Sequence, residues 1–271
     1  MMDRLMRDRA PISDAAWQQI DEEARRTLKT MLAARRLVDF AGPKGWDASS
    51  VSAGRVDIIK PPRSSGGVEA RLRRVHRFVE FRVPFDVSRE EIDTIDRGAK
   101  DPDLDAVIAA AQKIALAEDG AIFHGYEAAG IEGICEGEAR AALTIGEDYA
   151  AYPALVATAL SKLRASGVDG PFAMALGKRC YTGLTETTDG GYPVIEHVKR
   201  LIDGPVVWAP ALDGAVVMST RGGDFELIVG EDFSIGYLSH DSQKVQLFIE
   251  ESMTFRLLSP QAAIPLTYKS A

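Results

Sequence analysis

Apolar residues recur at three-to-four spacing over 13–38, where Trp17, Ile20, Ala24, Leu28, Met31 and Leu32 form one stripe, the period of an amphipathic helix. Ser13, two residues after Pro11, is a good N-cap. Asp21/Arg25 and Glu22/Arg26 are i,i+4 pairs on the wet side, and Gly42-Pro43 stops the run. Such a helix must lay its stripe on something. Period two then takes over: residues 51–59 and 68–87 have strand character, and Val79, Phe81, Val83, Phe85 and Val87 alternate with Glu80, Arg82, Pro84 and Asp86. The turn cluster "KPPRSSGG" separates the two runs, which predicts a long two-stranded hairpin. An isolated hairpin is marginal in water, so this arm needs a partner. Arg71, Arg73, Arg74 and Arg77 crowd its return strand, as a solvated face or as a surface that docks onto an acidic neighbour.

Ser88 and Glu91 form a capping box for a short helix ending near Gly98. Pro102 and Asp103 start a longer helix with Leu104, Val107, Ile108, Ala111, Ile114 and Ala115 on one face, and a third covers roughly 152–166. Short elements follow: "FAMAL", the Pro193-started "PVIEHVKRL", "PVVWA", "GAVVMS", then strand-like "FELIVG" and "KVQLFIEESMTFRLL". No regular βαβ alternation links them, which predicts an α+β fold.

Composition narrows the partners. The 271 residues suffice for one large domain or two modest ones, and 46% hydrophobic with 27% charged is ordinary for a soluble protein. Acidic residues outnumber basic ones by 40 to 32, for a net charge of −8, which argues against general nucleic-acid binding. Two distant cysteines, Cys135 and Cys180, exclude a disulfide framework or zinc ribbon and read as buried structural thiols. The charged N-terminus lacks the apolar core of a secretory signal, and no apolar run suits a membrane span. A cytoplasmic, soluble protein is expected, with no membrane or nucleic-acid partner.

Chemistry is harder to find. His76, His124, His197 and His240 stand alone, without an HxxH or HExxH pair, so no local metal motif is present; His124 reads as a packing or capping residue. Ser234 has Gly236 after it but Asp232 before it, which is not a nucleophile elbow, and no Walker loop or GxGxxG occurs. Acidic pairs such as Glu118-Asp119 and Glu250-Glu251 are common on surfaces, and general acid–base work needs a pocket. What remains is an arm that wants a neighbour, an amphipathic first helix and a compact remainder, features that suit assembly. "RGGDFELIVGEDFSIGY" (221–237) combines glycines with carboxylates and reads as a ligand loop or as scaffold.

Motifs along the whole chain resemble the encapsulin shell proteins, also called linocin-type bacteriocins. They include "RDRAPISDAAWQQIDEEA", "GRVDIIKPP", "RVPFDVSREEIDTIDRGAKDPD", "AEDGAIFHGYEAAGIEGI", "GVDGPFAMAL", "TTDGGYPVIEHVKRLIDG" and "LFIEESMTFRLL"; most specific is "ALDGAVVMSTRGGDFELIVGEDFSIGY". The resemblance implies the major-capsid fold of Hong Kong 97-type tailed phages. A peripheral domain would take 1–50, 79–125 and 221–271, an extended arm 51–78, and an axial domain 126–220. It further implies self-assembly into a closed icosahedral shell of roughly sixty copies or a multiple, the smallest shell being the expected one. A cargo enzyme, a dye-decolorising peroxidase or a ferritin-like iron protein, would be enclosed through its C-terminal targeting peptide.

By the same resemblance, the peptide would bind Leu28, Leu32, Arg35 and Asp39 from "LKTMLAARRLVDF", with Asp232, Ile235 and Tyr237 from "EDFSIGY". Arg35 and Asp39 also have the spacing of an ordinary i,i+4 pair. A five-fold pore loop would be Thr185, Glu186, Thr187, Thr188, Asp189, Gly190 and Gly191, whose carboxylates, repeated by symmetry, would make an acidic ring that favours cations. Some relatives carry flavin on an aromatic residue after the arm; Glu90 stands there, so no flavin, other cofactor or metal is expected. The shell itself is expected to be no enzyme. Hydrolase, protease or bacteriocin-like activity, and a small-molecule binding role, are the competing readings.

Overall fold

The structure is a computed structural model that describes residues 4–63, 66–136 and 142–268. The chain ends (1–3 and 269–271) and Ser64-Ser65 at the expected hairpin tip lie outside the described residues. Ser13 caps the first helix, α1 (Asp14–Met31), its hydroxyl accepting the Ala16 N–H at 3.1 Å. The stripe Trp17, Ile20, Ala24, Leu28 and Met31 is buried. The helix nevertheless stops at Met31 rather than running to 38. The cause is tertiary: the buried Asp119 carboxylate accepts the N–H groups of Ala33 (2.8 Å) and Ala34 (3.1 Å), donors that a continuing helix would turn on its own carbonyls. A 3₁₀ turn (Ala34–Arg36) and the short strand β1 (Asp39–Ala41) follow.

The arm consists of β2 (Ser50–Ile59) and β3 (Ala70–Arg77), paired antiparallel. The expected return strand is divided at Phe78, beyond which β4 (Val79–Ser88) leaves the arm for the main sheet. Burial separates the two halves: Phe85 and Val87 are buried, whereas Ile58 is 77% and Leu72 57% exposed. Ser88 caps α2 (Arg89–Asp96) by accepting the Glu90 N–H. Glu91 does not complete the capping box, because its carboxylate accepts the Asp103 N–H at 2.9 Å. The long α3 (Asp105–His124) ends at Gly125.

Beyond it lie β5 (Leu143–Ile145), α4 (Tyr152–Ala165), β6 (Phe172–Leu176), α5 (Lys178–Glu186), β7 (Thr188–Asp189), β8 (Tyr192–Pro193), α6 (Val194–Leu201) and β9 (Val206–Trp208). β10 (Ala215–Ser219), β11 (Phe225–Val229), β12 (Ser234–His240), β13 (Lys244–Leu257) and β14 (Ala263–Tyr268) complete the chain. The spine of the first sheet is β13. It pairs antiparallel with β4 along one edge, from Lys244↔Ser88 to Met253↔Val79, and with β12 and then β11 along the other. β1 joins outside β11 in parallel. The second sheet runs β5-β14-β10-β6-β9, with parallel pairs at both ends.

Two apolar cores result. In one, α1, α2 and the first half of α3 pack on β4, β12 and β13, through Ile20, Leu28, Ile92, Ile114, Val87 and Leu247. The other gathers the second sheet with α4, α5 and α6. α3 serves both, Val107 to Ala115 in the first and Ala121 to Phe123 in the second. A helix shared between two cores is buried on more than one side, which explains its broad apolar surface. Cys180 is buried, with the phenols of Tyr152 at 3.3 Å and Tyr268 at 3.2 Å, but Cys135 is only half-buried, contrary to the reading of both thiols as core. His124 packs at the end of α3 with its Nε2 2.9 Å from the Ala211 carbonyl.

Candidate functional site

A groove of about 600 Å³ opens where α1 faces the start of β12. Leu28, Leu32 and Ile235 supply apolar lining, and Arg35 and Asp232 bring charge to it. Two further walls escaped sequence reasoning. Phe233 stands beside Ile235, with the Arg35 guanidinium 4.5 Å from its ring centroid. Leu5 comes from the segment before α1, which runs beside β12: the Tyr237 N–H donates to the Leu5 carbonyl at 2.8 Å. That segment is tied down by arginines. Arg4 pairs with Glu231 and Glu250, while Arg7 pairs with Asp21 at 2.7 Å and lies over the Trp17 ring at 3.9 Å. None of these contacts has a period, so no pattern in the sequence points to them.

Asp39 and Tyr237 do not line the groove. Asp39 is not the i,i+4 partner of Arg35; its carboxylate accepts the Gly223 N–H at 2.6 Å, fixing the turn before β11. Gly222 and Gly223 hold φ of 86° and 80° there, a region that side chains with a Cβ avoid. Tyr237 lies two residues beyond Ile235 on the same face of β12, its hydroxyl 2.6 Å from His240 Nδ1.

Beneath the groove one cation meets several acids. Arg35 donates from Nε to both Glu118 oxygens at 2.9 Å, from Nη1 to Asp232 at 2.8 Å, and from Nη2 to Glu118 at 2.6 Å and Glu251 at 3.1 Å. Glu118 and Glu251 are fully buried, whereas the Asp232 side chain is 45% exposed. Burial works to lower the Arg35 pKa, but the Glu118 hydrogen bond and the surrounding carboxylates outweigh it and raise it. Burial, then the charge of Glu118, pushes Glu251 well above the usual carboxylate range. Asp119 is pushed up to about 7 by burial and by Glu118, against the hydrogen bonds from Ala33 and Ala34.

The 185–191 segment is a separate feature. Thr185 and Glu186 finish α5, Thr187 follows, and Thr188–Asp189 pairs with Tyr192–Pro193. Gly190 and Gly191, with φ of 57° and 85°, form the two-residue turn of a tight hairpin. Glu186 and Asp189 are exposed, and His197 Nε2 reaches the Asp189 carbonyl at 3.4 Å. Among the described residues no group of His, Cys, Asp and Glu is placed to hold a metal ion, and no helix is long and apolar enough to cross a membrane.

Residues 2–254 match the family described as "Encapsulating protein for peroxidase". The chain is 55% identical over 270 residues to the type 1 encapsulin shell protein of Rhodospirillum rubrum, a match covering 98% of this chain and 96% of that one. It is similar in structure to the virus-like particle from Pyrococcus furiosus, with a TM-score of 0.64 at 17% identity over 92% of this chain and 98% of the other. The capsid of Myoviridae phage XM1 gives a TM-score of 0.52 at 9% identity over 88% and 92%. The fold is that of phage major capsid proteins of the Hong Kong 97 type, built as mixed helix and sheet.

Proposed function

This chain belongs to the encapsulin shell-protein family, and from that premise we propose that it closes into the smallest icosahedral shell and recruits an enzyme through the groove between α1 and β12. Forming a capsid-like particle is the family's role. The finer reading rests chiefly on one observation: Leu28, Leu32, Arg35, Asp232 and Ile235, distant in sequence, line a single groove. An extended C-terminal peptide would place alternate apolar side chains against Leu28, Leu32, Phe233 and Ile235, while Arg35 and Asp232 hold its polar groups. Asp39 and Tyr237 would then support the walls from behind.

In this reading 1–50, 79–125 and 221–271 form the peripheral domain, 51–78 the arm laid on a neighbour, and 126–220 the axial domain around the symmetry axes. Residues 185–191 would ring the five-fold pore. The guest would be a peroxidase, in keeping with the family's description, with a ferritin-like iron protein as the second candidate. The shell would work in the cytoplasm as a container without chemistry of its own.

Electron microscopy of the purified protein tests assembly: uniform hollow icosahedral particles are expected, and a monodisperse monomer would sink the reading. Co-expression with a peroxidase bearing its native C-terminal tail tests the groove. Leu32→Asp or Ile235→Asp in intact shells should abolish loading, and unchanged loading would refute the placement.

A further inference from the structure

Three carboxyl groups converge on one guanidinium at the exit of α1, and a fourth lies beside them. Glu118 comes from α3, Glu251 from β13 and Asp232 from the loop before β12, and Arg35 binds all three; Asp119, next to Glu118, holds the Ala33 and Ala34 amides. Glu118, Asp119 and Glu251 are fully buried. One buried positive charge cannot compensate three buried negative ones and Asp232 besides, since an uncompensated carboxylate in such a place costs several kcal/mol. The geometry shows where the excess charge is removed. Glu251 Oε1 is buried and receives no hydrogen bond from any described residue, while its other oxygen and the Glu118 carboxylate share the Arg35 guanidinium. Two buried carboxylates on one cation repel each other, and protonating one of them removes the excess charge.

We propose that Glu251 carries a proton and so forms, with Glu118 and Arg35, a proton-operated latch that pins the end of α1 to α3 and β13. Asp119 holds the next two backbone amides of the same segment, so the latch fixes the backbone where α1 turns toward β1. Ionising Glu251 sets a second full negative charge against Glu118 and loosens this junction. The direction follows from linkage: an acid that keeps its proton in the folded chain contributes stability below its unfolded pKa, and loses it as pH rises through the folded value. Glu251 and Asp119 both act in this sense, with Asp119 responding as pH approaches about 7. Because Arg35 belongs to both the latch and the groove, and Leu32 adjoins the amides that Asp119 holds, loosening it also softens the groove wall; this last consequence rests on the proposed cargo role.

The test uses assembled wild-type shells and Glu251→Gln, which keeps the shape and a hydrogen-bond donor but cannot ionise. Thermal denaturation midpoints are recorded at one scan rate from pH 5 to pH 9. The wild type should lose stability relative to the variant as pH rises, with the gap widening by about 5 °C across the range. Parallel profiles would overturn the latch. Should the variant fail to assemble, infrared spectra of the wild type decide: the carbonyl stretch of a buried carboxylic acid should be present at neutral pH and vanish at alkaline pH, and its absence at neutral pH would overturn the proposal. Binding of the cargo tail peptide is followed over the same range. Failure to bind at any pH would remove the cargo reading and leave the latch standing, whereas binding that is flat in pH would separate the latch from the groove.

Discussion

Arg35 Nη1 and Asp232 Oδ1 meet at 2.8 Å in the groove lining, although 197 positions separate them in the chain. The contact joins the exit of the first helix to the loop before β12, and its two members are unequal. Arg35 also serves the buried Glu118 and Glu251, while Asp232 is 45% exposed and has a route to water. Replacing Arg35 by leucine should therefore destabilise the chain by about 3–5 kcal/mol, because buried carboxyls lose their cation. Asp232→Asn should cost less than about 1 kcal/mol. Chemical denaturation of the two variants measures the difference, and equal losses would contradict the arrangement.

Asp119→Ala leaves the Ala33 and Ala34 amides without their acceptor in a buried place. Each orphaned donor costs about 1–3 kcal/mol. Hydrogen exchange of these two amides should accelerate by at least tenfold, about 1.4 kcal/mol, while exchange in the middle of α3 stays slow. Unchanged protection would mean that the helix exit is held by something other than Asp119.

The arm presents apolar side chains that no described residue of its own chain covers. Ile58→Asp and Leu72→Asp should leave the circular dichroism and stability of the chain within about 0.5 kcal/mol of wild type, since these positions are 77% and 57% exposed. Particle yield should fall sharply. Sedimentation analysis reads this out, and shells formed in normal yield would show that the arm's apolar face takes no part in assembly.

Glu186 and Asp189 are exposed, so Glu186→Gln with Asp189→Asn should not alter stability. If the 185–191 loops ring a pore, the double variant slows cation entry into assembled shells and leaves neutral solutes unaffected. The difference should fade at high ionic strength, where the charges are screened. A metal-sensing dye trapped in the lumen follows entry by stopped flow, and identical rates at low salt would exclude these carboxylates from the path.

Much of this architecture is legible as periodicity. The spacing of Trp17, Ile20, Ala24 and Leu28 announces α1, and the alternation from Val79 to Val87 announces β4, because both elements bury one face against a continuous surface. Periodicity fails where a distant residue overrules the local pattern. Nothing near Leu32 shows that Asp119, 86 residues after Ala33, will take the next two amides and end the helix. The same blindness pairs Arg35 with Asp39, when Arg35 has three acids from other elements and Asp39 serves the Gly222-Gly223 turn. The resemblance to encapsulins supplied the groove residues that spacing alone did not, but Phe233 and Leu5 surfaced only in three dimensions. β5 and β14 were missed because such short strands are set by their neighbours, Leu143–Ile145 following the register of Leu266–Tyr268.

The junction at Phe78 separates the arm from β4 by a single residue, whose N–H donates to the Ser49 carbonyl at 3.0 Å and whose ring lies against Gly230. The arm is thus a lever clamped at its root. Through β4 the joint is continuous with β13, the strand to which β4, β11 and β12 are all paired. Where copies of this chain lie arm over neighbour, the angle held at this one-residue joint sets the direction in which each arm reaches the next.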